Sequence, residues 1–233
     1  MEYSTGFIYL IKKFGKLIWK HKEDLITKLK ANTIYKNKEV RMSLSYLFSI
    51  EIDNTYLLIK GNKIDQLQPI GGVFKYLDTF EDIQNRLGIR NASNNQFHDT
   101  QDLRIVVPGQ NVPKVVEWFH SKLNRETNVS REFIEELVEN NGPLDFIDYS
   151  NSTIEFKKCI ETNFRESVHF NMLEYNIYEI YKVKLLGEAK EKIKKYILEN
   201  DNLFLVDAED IKKENIAING LAVKIGSHTK YTL

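Results

Sequence analysis

The segment Arg131-Glu132-Phe133-Ile134-Glu135-Glu136-Leu137-Val138 constrains this chain more than any other. Its three carboxylates stand three and four residues apart, a spacing that brings them to one face of a helix. Carboxylates stacked that closely repel one another, so the arrangement costs stability unless a cation sits among them. A hard divalent ion that prefers oxygen ligands, Mg²⁺ or Mn²⁺, is the natural partner of Glu132, Glu135 and Glu136. The plain alternative is a solvated amphipathic surface helix, on which such runs also occur.

A second segment separates these readings. Gln68-Pro69-Ile70-Gly71-Gly72-Val73-Phe74-Lys75 follows directly on a strand-like stretch. A Gly pair at the end of a strand permits positive φ and close approach of the backbone to a ligand phosphate. In the same segment Phe74 is a candidate to stack on a base and Lys75 to meet a phosphate. A packing role for Phe74 and a solvated one for Lys75 are the alternatives.

The 233 residues suffice for one large domain, or one domain with an appended element. The chain is neutral overall, so no whole-molecule field draws it to nucleic acid. The charge is uneven, however. Residues 1–40 hold nine lysines and four acidic residues, so the rest carries a surplus of five negative charges. That suits an acidic, metal-binding body. Basic residues do not cluster with aromatics beyond the first helix, and duplex DNA is not expected as a partner. The single cysteine, Cys159, excludes an internal disulfide and suggests a reducing, cytoplasmic setting. Lysines interrupt the first apolar stretch, and no uncharged run approaches a membrane span.

Periodicity predicts a basic amphipathic helix over 6–31, with Phe7, Leu10, Ile11, Phe14, Leu17, Ile18, Leu25 and Leu29 on one side. It packs on its own domain, or it meets a membrane surface or a partner. Strands are expected at 40–52 and 55–60 about an Asp53-Asn54 turn, then at 65–70, 103–107, 153–158, 167–170, 176–186 and 203–206. Helices are expected at 80–87, from Pro113 to 123, from an N-cap at Ser130, at 188–199 and at 208–213. Residues 88–100 read as a polar loop. The order of elements predicts an α+β fold, a mixed sheet sandwiched by helices, with 1–38 as an N-terminal helix and 39–233 as the body.

With these pieces in place the chain resembles the SMODS-associated Nudix family. The resemblance runs from about Val40 to the C-terminus. It is carried by Arg41-Met42-Ser43, Gln68–Lys75, Leu103-Arg104 before the Pro113 helix, Arg131–Leu137 and the closing Ile225-Gly226-Ser227-His228-Thr229-Lys230. It implies an α/β/α sandwich and a place beside bacterial cGAS-like nucleotidyltransferases in anti-phage signalling. It further implies a nucleotide or cyclic oligonucleotide ligand, Mg²⁺ or Mn²⁺, and a tendency to form homodimers. By the resemblance, Arg131, Glu135 and Glu136 are the catalytic group, and Arg131 orients the helix glutamates. Gly71, Gly72, Phe74, Lys75 and His228 are the ligand contacts. Relatives often carry transmembrane helices ahead of this domain, which keeps a membrane-surface role open for 6–31.

The sequence departs from an ordinary Nudix box. Gly72 lies 59 residues before Arg131, a long insertion. Counting back from Arg131 to the expected early Glu reaches Leu123, with Glu126 out of register. Val138 occupies the place of the final Gly and is expected to lengthen the helix. Glu126 and Glu139 are the candidates for a general base. These losses favour a ligand sensor, and a Mg-dependent hydrolase of a nucleoside diphosphate-linked substrate is the alternative. An interaction scaffold without a ligand is a third reading.

Overall fold

A computed structural model describes residues 22–62, 64–92, 101–139 and 141–233. Of the expected helix over 6–31, the part before residue 22 lies outside the described residues, as does most of the 88–100 loop. The described part is helical over residues 22–32 (α1). No helix among the described residues is long and apolar enough to cross a membrane.

The fold is organised around one long strand. β1 (Glu39–Ile52) is β-branched and aromatic-rich, and all but three of its residues are buried. Asp53 and Asn54 both take positive φ and turn it into β2 (Thr55–Lys60), which suits residues tolerant of the left-handed region. Two short strands, β3 (Leu67–Pro69) and β4 (Gly71–Val73), pair back onto β2 and β1. There follow α2 (Glu81–Leu87), β5 (Arg90–Asn91), β6 (Arg104–Pro108), α3 (Val112–Ser121), α4 (Ser130–Leu137) and α5 (Phe146–Asn151). The chain closes with β7 (Thr153–Glu161), β8 (Arg165–Glu166), β9 (Leu173–Glu174), β10 (Ile177–Lys184), α6 (Ala189–Glu199), β11 (Leu203–Asp207), α7 (Ala208–Lys213), β12 (Asn215–Ile218) and β13 (Leu221–Lys224). A final 3-10 turn spans Ser227–Thr232.

β1 pairs in parallel with β10 and β9 on one side. On the other it pairs antiparallel with β6, β4 and β2 in succession. The result is a mixed, mostly antiparallel sheet with helices, as the α+β expectation had it. Alternation along β1 defines two faces. Met42, Leu44, Tyr46, Phe48 and Ile50 join Phe119 of α3, Phe133 and Leu137 of α4 and Ile193 of α6 in the main core. The opposite face carries smaller clusters, one around Leu47, Tyr178 and Ile180 with Tyr231, another around Leu58, Val206 and Ile211 of α7.

One local expectation changes, and two elements appear that were not expected. Residues 167–170 form a turn between β8 and β9, where the chain reverses, rather than a strand. α5 is built on a capping box in which Asp145 accepts from the amides of Ile147 and Asp148. The β12–β13 hairpin turns at Asn219-Gly220, both at positive φ. The sequence signals were present in both cases: an Asp-x-x-Asp spacing and an Asn-Gly pair between alternating apolar residues.

Candidate functional site

α4 presents the acidic segment at the outer edge of β4. Asn128, rather than Ser130, serves the start of the helix: its Oδ1 accepts from the amide of Ser130 at 2.9 Å. The helix ends at Leu137, with Val138 as C-cap, so Val138 does not lengthen it. The chain turns at once, and Gly142 comes so close to Leu137 and Val138 that a Cβ would overlap their backbone. The tight exit that a final Gly would give inside the box is supplied four residues later. Val138 packs its side chain against the core instead.

Arg131 organises the site. Its Nη1 donates to Glu132 at 2.6 Å and lies 3.7 Å from Glu135. Its Nη2 donates to the carbonyl of Val73 at 3.1 Å, tying α4 to β4. Its Nε reaches Glu126 at 3.4 Å. Burial works against the guanidinium charge, but Tyr46, Glu132 and Glu126 hold Arg131 more basic than usual.

Glu126 is the residue that counting along the sequence misplaced. Its amide donates to the carbonyl of Lys75 at 2.8 Å, and its Oε2 accepts from the amide of Lys75 at 3.3 Å. This doubled contact carries it across the long insertion to Arg131. Arg125, beside it, is sealed in the core. Arg125 donates to the carbonyls of Phe119 and Glu126 and to Glu179 at 3.1 Å.

Gly72 faces Tyr46 on β1, and a Cβ on Gly72 would overlap the Glu132 carboxyl. A side chain here would unseat that carboxylate. Gly71 faces Leu47. The Gly pair thus brings β4 against β1 and makes room for Glu132. Burial pushes the Glu132 carboxyl up, opposed by Arg131. Glu136 is also pushed up, by burial and then by Glu135 beside it. Among the described residues Glu136 has no hydrogen bond or ion pair.

The remaining candidates are dispersed. Phe74 is fully buried, its ring 4.8 Å from that of Tyr46 and 5.5 Å from that of Phe119, so as folded it is core and not a stacking surface for a base. Lys75 is half-buried next to Glu126. His228 stacks on Tyr178 with ring centroids 5.8 Å apart, on the sheet face opposite α4. The structure therefore does not bring His228 to the glutamates. His120 pairs with Glu161 on β7 at 2.9 Å, and Glu139 is exposed past the end of α4.

The donor set fits a divalent ion in part. Glu135 and Glu136 are adjacent oxygen donors, and Glu136 is half-buried without a counter-charge, which a hard cation would supply. Glu132 gives its oxygen to Arg131. Among the described residues no three acidic, His or Cys side chains converge on a ready-made metal position.

Residues 39–233 match the family model of the SMODS-associated NUDIX domain. The chain belongs to that family. A search of curated proteins returns no match. Membership accounts for the sandwich around β1 and for the placing of the Gly pair beside the acidic helix. Nudix domains generally use divalent metals, in keeping with the unbalanced charge at Glu136.

Proposed function

We propose that this Nudix protein recognises a nucleotide ligand, of the cyclic oligonucleotide class, as a sensor in bacterial anti-phage signalling. The observation that carries this reading is the commitment of Glu132. Its carboxylate is seated on Gly72 and hydrogen-bonded to Arg131, which is itself tied to Val73. A carboxylate engaged in this way lines the site; the oxygen it gives to Arg131 is not free to hold a second cation. The family's association with SMODS-type nucleotidyltransferases supplies the context and the functional partner. The cytoplasm, a homodimer and a membrane-surface role for residues 6–31 go with that reading.

The acidic end of α4 repels phosphates on its own. Glu135 and Glu136 would hold Mg²⁺ or Mn²⁺, and the ion would supply the positive charge that bridges them to a diphosphate. Arg131 keeps Glu132 out of that pair's way and fixes α4 against β4, where the Gly71 amide, directed away from β1, is the donor for a phosphate; Gly72 pairs with Tyr46.

A second reading, a Mg-dependent hydrolase of a nucleoside diphosphate-linked substrate, is favoured by Glu126. By reaching Arg131 it restores the carboxylate partner that the spacing denied. Glu126 and Glu139 remain the candidates for a general base.

A thermal-shift series with Mg²⁺ and cyclic di- and trinucleotides or linear dinucleotides, with product analysis of each hit, decides between them. A sensor gains about 2.7 kcal/mol at a hundredfold excess over Kd and returns the ligand intact. Release of a nucleoside monophosphate, lost in Glu135→Gln and Glu136→Gln, establishes the hydrolase instead. No shift and no turnover with any of them sinks both readings.

A further inference from the structure

The face of the sheet opposite α4 holds a buried cation with no hydrogen-bond acceptor. Along β1, Arg41, Ser43, Ser45 and Ser49 occupy alternate positions on that face. Arg41 is 8 % exposed, and its Nε is sealed from solvent without a hydrogen-bond acceptor. No hydrogen bond or ion pair reaches the guanidinium from any described residue. Buried guanidinium groups are ordinarily matched by a carboxylate, because an uncompensated buried charge is costly.

The carboxylates nearby are already taken. Glu174, which faces Arg41 across the β1–β9 pair, accepts from Arg165 Nε at 2.8 Å and Nη2 at 2.7 Å. Asp102 is paired with Arg104, which faces Ser43. Among the described residues three arginines thus lie beside two carboxylates: Glu174 attracts Arg41 without bonding to it, and burial still makes Arg41 less basic than usual. Phe170 covers the flat side of the Arg41 guanidinium, with the carbon 3.9 Å from the ring centroid. That stacking fixes the plane and leaves the nitrogen edges as the binding surface. Ser43 Oγ and Ser45 Oγ, 2.9 Å apart, continue the polar row.

We propose that Arg41 anchors an oxyanion site on this face, taking a phosphate group along its nitrogen edge with Ser43 beside it. An anion suits the site because the Nε lacks an acceptor and the pull of Glu174 does not offset the burial of the guanidinium. With Arg104 paired to Asp102 and Arg165 to Glu174, the excess on the patch is one positive charge, which suits a phosphodiester or a phosphate monoanion. The assignment rests on these residues alone and is independent of what α4 does.

The test is titration calorimetry of the full chain, free of divalent metal, with inorganic phosphate, pyrophosphate and adenosine 5′-monophosphate. Saturable binding is expected, weakened at least tenfold in Arg41→Met and less in Arg41→Lys, which keeps the charge and loses the fork. Glu136→Gln should leave it unchanged. Tighter binding of the nucleotide than of phosphate assigns the source as a nucleotide; equal binding assigns free phosphate. Arg41→Met should also fold with at least the parent's stability in a urea titration, since it removes a buried donor that has no acceptor. Absence of binding by the parent chain, binding left intact in Arg41→Met, or marked destabilisation by that change overturns the assignment.

Discussion

Arg125 and Arg41 are buried to similar depth on opposite faces of one sheet, and their surroundings differ completely. Both lie over aromatic rings, Arg125 at 4.5 Å from Phe74 and 3.9 Å from Phe119, Arg41 at 3.9 Å from Phe170. Arg125 has an acceptor at each of its three nitrogens: two carbonyls and Glu179. Glu179 in turn accepts from Tyr181 at 2.6 Å. Arg41 has none. The first pattern is that of a structural pin, which ties the end of α3 to β10 and holds Glu126 in place. The second is that of a position kept for something else. Arg131 stands between them, ringed by carboxylates at the edge where ligand chemistry is expected.

The largest effect should come from breaking the pin. Arg125→Met leaves Glu179 buried and uncompensated and should cost about 3–5 kcal/mol in urea unfolding. Replacing both partners, as Arg125→Met with Glu179→Leu, should recover most of that loss. The comparison fails if Arg41→Met proves as costly as Arg125→Met.

Gly72→Ala comes next. The new methyl overlaps the Glu132 carboxyl, so Glu132 must leave its seat or β4 must move from β1. The expected cost is about 1–3 kcal/mol, with loss of any Mg²⁺-dependent ligand shift. Unaltered stability and ligand response would show that the seat of Glu132 does not matter to the site.

Much of this was legible in the sequence, and the parts that were not share a cause. Local patterns read well: Asp53-Asn54 set the hairpin, and the Glu spacing set the acidic face of α4. What failed depended on chain segments far apart. Glu126 is out of register with any fixed motif, and its backbone pairing with Lys75 is what places it at Arg131. Phe74 sits beside the Gly pair, yet strand alternation turns it inward to Tyr46 and Phe119. Val138 was expected to extend α4 because a missing Gly was counted, while Gly142 does the turning from outside the box. The polar row of Arg41, Ser43, Ser45 and Ser49 was visible as period-two alternation. What the sequence does not state is that Glu174 would already be taken by Arg165.

The smallest effect tests the far face by pH. Burial and the nearby Arg165 depress His228 from its usual 6.5 to about 4. Between those values the unfolded chain takes up a proton that the folded ring refuses. Stability therefore falls as pH drops through that window and is fully present above it. Phe at this position keeps a ring against Tyr178 and cannot titrate, so His228→Phe should flatten the slope. The gain over the parent should be on the order of 1 kcal/mol at pH 5, absent at pH 7.5, by urea unfolding at both values. The sign follows first from burial, which disfavours the charged ring, and then from Arg165. A slope that His228→Phe leaves unchanged would mean that the ring is not held neutral against Tyr178, and the contrast between this face and the acidic end of α4 would lose that support.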